Sequence, residues 1–206
     1  MEWLKIGFAT GFIASAFYML HSILGNILWK EYNPVTTDIS SLTADGAPNK
    51  GLLTIFTTIY GVLLTVFSLV LVYLSFQETG KNFKTGAISL CATSLISFIG
   101  FGLYPLPANK EEPSFQGKMH IIIAGVVAFL TIFSAFFLAF GIKARAKSES
   151  FGSFLVYLAA FLTVFGLLNP VQIALKWNIL GITERLVIYT FQLMVTSISV
   201  YFTFYE

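Results

Sequence analysis

Charge is what this sequence has least of. Of its 206 residues only 11% are Asp, Glu, Lys or Arg, against about a quarter in an ordinary soluble domain, so water is not its main solvent. The formal charge of +2 is spread thinly, without a dense Lys/Arg block, and this excludes a nucleic-acid partner. A single cysteine, Cys91, lies in an apolar stretch. It can form no intramolecular disulfide, argues against a thiolate metal site, and reads as a small buried hydrophobe. Neither a G-x-S-x-G turn nor an H-E-x-x-H helix occurs. No feature calls for a metal, nucleotide, haem or flavin; His21 and His120, on different segments, supply half a metal site at most.

What is present is apolar: 56% of the chain, with a mean hydropathy of +0.81. A run of roughly 18 or more apolar residues can cross a bilayer as a helix. Six such runs are expected, at 6–29, 51–77, 85–104, 118–141, 153–174 and 184–204, bounded by charges, Gly and Pro. The expectation is an all-α, polytopic transmembrane bundle of six helices, with 1–206 forming one domain. The first run, with Lys5 before it and Ala14-Ser15-Ala16 inside it, superficially resembles a secretory signal. Its apolar character continues to Trp29, too long for a signal core, and reads as a spanning helix.

Orientation follows from Lys and Arg near the helix ends. Lys5, Lys81, Lys84, Lys143, Arg145 and Lys147 fall on one side; Lys30, Lys50, Lys110, Lys118, Lys176 and Arg185 fall on the other. The first set sits in shorter segments and includes the densest cluster, so both termini are expected in the cytoplasm and the first loop, Lys30 to Lys50, outside.

Small and weakly polar residues repeat every three or four positions, which aligns them on one helical face. The stripes are Thr54, Thr58, Gly61, Thr65 and Ser68; Gly86, Ser89, Thr93, Ser97 and Gly100; Gly117, His120, Ala124, Ala128 and Thr131; and Arg185, Tyr189, Gln192, Thr196 and Ser199. Such stripes are expected as packing faces, because small residues let helices approach closely in lipid.

Ionisable side chains within a span are costly and mark ion or substrate pathways. Between the helix ends only His21 is of this kind, which argues against a carboxylate-centred ion-coupled transporter and a charge-lined channel. The polar residues gather toward the outer face instead: His21, Asn33, Asp38 and Ser41 in the first third, then His120, Glu184 and Arg185. Thr37 or Asp38 caps a short helix over 38–42, the alternative role for Asp38 being that of a functional acid. His120 is a general base, a proton switch or a hydrogen-bonding interface residue. Glu184 in a first helical turn suits the macrodipole, and Arg185 can snorkel at the interface or grip a phosphate through its two-pronged fork.

The motif Tyr32-Asn33-Pro34-Val35, followed by Asp38-Ile39-Ser40-Ser41-Leu42 and Gly46-Ala47-Pro48-Asn49, resembles the first loop of the six-helix prokaryotic family known as domain of unknown function 998. Gly102-Leu103-Tyr104-Pro105 and Gly181-Ile182-Thr183-Glu184-Arg185 resemble its third loop and the start of its sixth helix. The third loop departs from the pattern, with Leu106-Pro107-Ala108 where an acidic residue usually follows the proline. The first loop is distantly similar to Frag and DRAM-type membrane proteins, associated with lipid remodelling.

Together these readings lead to a multi-pass protein of a prokaryotic plasma membrane, in contact with membrane lipids, holding a lipid headgroup or small ligand in an outward-facing polar pocket. His21, Asn33, Asp38, Ser41, His120, Glu184 and Arg185 are the candidate ligand-binding residues. An intramembrane lipid-modifying enzyme, with His120 as base, and a lipid or small-molecule transporter are the alternatives.

Overall fold

Inside hydrocarbon a backbone must satisfy its own N–H and C=O groups, which leaves a chain of this composition the helix as its spanning form. The computed structural model describes residues 2–77, 80–110, 112–145 and 148–205. Lys147, part of the basic cluster used for orientation, lies outside the described residues. The helices are α1 (Glu2–Leu28), α2 (Lys50–Gln77), α3 (Lys81–Leu103), α4 (Phe115–Lys143), α5 (Glu149–Ala174) and α6 (Leu180–Phe204), with a short 3-10 helix, Ile39–Thr43, in the first loop. All six are long and apolar enough to cross a membrane, and no strand occurs among the described residues.

The observed helices begin up to four residues before the apolar runs. Ser114 illustrates why: its hydroxyl accepts the Gly117 N–H at 3.0 Å and starts α4 ahead of the hydrophobic stretch, as a side-chain cap does. Each helix packs against its neighbours in sequence, and α6 closes the ring against α1. Ile6, Leu69, Ile99, Phe129 and Val164 point outward from the bundle, where lipid is their natural solvent.

Backbones approach closely at α3–α4 and α4–α5, where a Cβ on Gly152 would lie 2.3 Å from the Lys143 Cα. A Cβ on Gly86 would lie 2.5 Å from the Leu138 nitrogen, and one on Gly141 would lie 2.4 Å from that of Phe83. Hydroxyls join other pairs: Ser68 meets Ser94 at 3.1 Å between α2 and α3, and Ser199 donates to the Phe8 carbonyl at 2.6 Å while accepting the Phe12 N–H at 2.9 Å. The expected packing stripes hold only in part. Gly61, Ser68, Gly86, Thr93, Thr131, Gln192 and Ser199 are buried, but Thr54, Thr58, Ala124 and Ala128 are exposed. A three-four repeat aligns residues on a face without saying how far along the helix a neighbour covers it.

Candidate functional site

The first loop folds back as a lid over one end of the ring. Asn33 begins it with a local turn: its side-chain oxygen accepts the Val35 N–H at 2.9 Å and its carbonyl accepts that of Thr37 at 2.8 Å. Asp38 caps the 3-10 helix, its Oδ1 accepting both the Ser41 N–H and the Ser41 hydroxyl at 2.8 Å. Ile39 and Leu42 then turn inward and become fully buried against Leu53 and Tyr32.

Arg185 fastens this lid to α6. One guanidinium nitrogen, Nη1, donates to the carbonyls of Pro34, Thr37 and Gly181 at 2.8, 3.1 and 2.9 Å, and Nη2 donates to the Tyr32 hydroxyl at 2.5 Å. Tyr32 itself donates to the carbonyls of Thr37 and Asp38. Burial pushes its phenol up to about 12 against the opposing pull of Arg185. The fork expected to suit a phosphate is thus turned onto the protein's own carbonyls. Next to it, Glu184 accepts the Ile39 N–H at 2.5 Å, so consecutive residues of α6 hold both ends of the turn.

Lys110, from the third loop, completes the cluster. Its ammonium donates to Asp38 Oδ2 and, at 2.7 Å, to the Ser41 hydroxyl. Burial pushes the Asp38 carboxyl up, but Lys110 and the two Ser41 donors outweigh it and hold the group below its ordinary value. The third loop is also sewn to the first by Asp45, whose N–H donates to the Leu106 carbonyl and whose carboxylate accepts from Gln116. Lys50, followed by Gln116, draws the exposed Asp45 carboxyl down.

Asp38, Ser41, Glu184 and Arg185 therefore converge, with Asn33 at the rim. His120 stands apart: its Nδ1 lies 2.9 Å from the Tyr104 carbonyl and its ring lies against Phe101. Among the described residues no hydrogen bond joins it to Asp38, Ser41 or Glu184.

His21 is fully inside the bundle, and neither of its ring nitrogens has a hydrogen-bond partner among the described residues. Its ring meets Tyr18, which stacks edge-on against Tyr60. Tyr60 in turn accepts from Gln192 Nε2 at 3.0 Å, while Gln192 Oε1 is unpartnered among the described residues. A column of Tyr, His and Gln thus descends beneath the lid between α1, α2 and α6. Sequence reading missed Lys110, Tyr18, Tyr60 and the amide of Gln192 as site residues. Tyrosines scattered through apolar helices carry no periodic signal, and Lys110 sits 72 positions from its carboxylate partner. Among the described residues no cluster of metal-ligating side chains is present.

Six membrane-length helices, a buried polar column and a lid stitched from loops define a multi-pass integral membrane protein. The chain belongs to the family described as Protein of unknown function (DUF998), which matches residues 12–201. No curated protein and no solved structure matches it.

Proposed function

We propose that this is a lipid-binding membrane protein whose site runs from an apolar groove between α1 and α6 to the polar column beneath the lid. The observation that carries the reading is Gln192. It lines a groove of about 630 Å³ together with Phe12, Ala16, Met19 and Tyr189, yet its side-chain oxygen lacks a donor among the described residues. A buried polar atom left unpaired costs about 1–3 kcal/mol, which a hydroxyl or amide on a bound amphiphile would recover. The groove walls suit the acyl chain of such a molecule, and the bilayer supplies it directly.

In this reading Asp38, Ser41, Lys110, Glu184 and Arg185 order the lid above the headgroup. The lid faces outward and both termini face the cytoplasm of a prokaryotic plasma membrane, in keeping with the Lys143–Arg145 end of α4. A C-terminal reporter active only in the cytoplasm tests that orientation.

Binding is tested by native mass spectrometry of protein extracted gently from its own membrane. Ala16→Trp, which fills the groove, and Gln192→Leu, which removes the unpaired side-chain oxygen, should each reduce the retained lipid several-fold. Equal retention by wild type and both variants would overturn the proposal.

A further inference from the structure

A polar surface depression lies away from the apolar α1–α6 groove, where α5 ends. It measures about 410 Å³ and is lined by Thr36 from the first loop, Gln172 and Ile173 from α5, Lys176 and Asn178 from the connection, and Leu180. Where the groove's exposed lining is almost wholly apolar, four of these six residues carry polar side chains and one of them is a cation.

The chain reaches this arrangement through the way α5 stops. The Lys176 N–H donates to the Ile173 carbonyl at 3.2 Å, and the Trp177 N–H donates to the Gln172 carbonyl at 3.0 Å. This pair of bonds ends a helix on a residue in the left-handed region, where Gly is the usual occupant. Here that residue is Lys176, at φ 54°, followed by Asn178 at φ 55°. Asn tolerates the conformation through its short side chain, but Lys does not favour it. The strained turn sets an ammonium and an amide at one mouth.

The floor is Gln172, which is 2% exposed, and its Nε2 has no acceptor among the described residues. Lys176 forms no ion pair among the described residues. A cation, a second amide and the Thr36 hydroxyl thus line one depression, with the unsatisfied Gln172 N–H buried in its floor. Trp177, half exposed beside them, is of the type that sits at headgroup level in a bilayer.

We infer that this depression binds a phosphate group, with Lys176 supplying charge and Gln172 a buried donor. Phosphate offers several acceptor oxygens and negative charge at once, which matches the donors present and the absence of a carboxylate from the lining among the described residues. The group comes from an anionic phospholipid headgroup or from free phosphate.

The test uses the full chain in detergent, with dioleoyl phosphatidic acid and dioleoylglycerol, which differ only in the phosphate, and with inorganic phosphate as a separate arm. Wild type should retain phosphatidic acid over dioleoylglycerol about tenfold or more, as loss of a charge-assisted hydrogen bond implies. Lys176→Gly relieves the left-handed strain and Gln172→Leu removes the unpaired amide, so both should fold at least as well as wild type while losing that preference. A preference confined to phosphatidic acid identifies the headgroup as the source. A thermal shift with inorganic phosphate that vanishes in Lys176→Gly identifies the free ion. A wild type without response in either arm, or variants that respond like wild type, would overturn the inference. Ala16→Trp, in the separate α1–α6 groove, should leave the phosphate preference intact, so the two readings fail independently.

Discussion

Arg185 Nη2 donates to the Tyr32 hydroxyl at 2.5 Å while Nη1 of the same guanidinium holds the carbonyls of Pro34, Thr37 and Gly181. One side chain of α6 thereby ties down the Pro34 carbonyl and, together with the Tyr32 hydroxyl, that of Thr37. Replacing it with Lys keeps the charge but not the planar fork. Arg185→Lys should therefore destabilise the lid by about 1.5–3 kcal/mol, the range for bonds to a charged donor. Hydrogen exchange of the amides at 35–41 is the readout, and protection equal to wild type would remove the clamp role.

Gly181 lies directly beneath the same loop. A Cβ there would stand 2.4 Å from the Pro34 carbonyl oxygen and 2.5 Å from that of Thr37. Gly181→Ala should displace the lid and cost about 1–3 kcal/mol. Gly125, within α4, has nothing within 4 Å of its Cβ position, so Gly125→Ala should instead stabilise by up to about 1 kcal/mol through helix propensity. Thermal unfolding of both variants in detergent separates the two effects by sign.

Acid should loosen the lid through Asp38. Its folded-state carboxyl is held below the ordinary value by Lys110 and Ser41 despite the opposing effect of burial. A depressed folded value contributes stability that is present above the unfolded value, near pH 4, and is lost as pH falls through the folded one. Because the Lys110 side chain is 44% exposed, the contribution is modest, about 1 kcal/mol. Lid exchange rates should rise below about pH 4 in wild type and be less pH-dependent in Asp38→Asn; parallel profiles would exclude Asp38 as the titrating group.

His21 offers a test from inside the bundle. Its two ring nitrogens are buried without partners among the described residues, against the ring of Tyr18. His21→Phe keeps an aromatic ring and discards the unpaired polar atoms, so lipid-stripped protein should be as stable as wild type or gain up to about 1–3 kcal/mol. A marked loss of stability would mean that the imidazole is satisfied within the protein after all.

The number and type of spanning elements were determined by the sequence itself. Six apolar runs of membrane length leave a backbone no other way to pair its N–H and C=O groups in hydrocarbon, and α2 and α6 end within one residue of where the hydrophobicity stops. A helix cap at Thr37 or Asp38 was legible for the same reason, since local geometry is written in adjacent residues, and the structure assigns it to Asp38. Which polar groups meet was decided by tertiary structure alone. Lys110 reaches Asp38, Arg185 turns away from solvent onto Pro34 and Thr37, and His120 falls outside the cluster because of how the loops cross the end of the ring. Helical periodicity fixes the angle at which a side chain leaves its own helix, but the distance between side chains on different helices depends on how closely those helices pack. At Gly181, whose missing Cβ lets the loop carbonyls settle onto α6, that distance is set by the absence of a side chain.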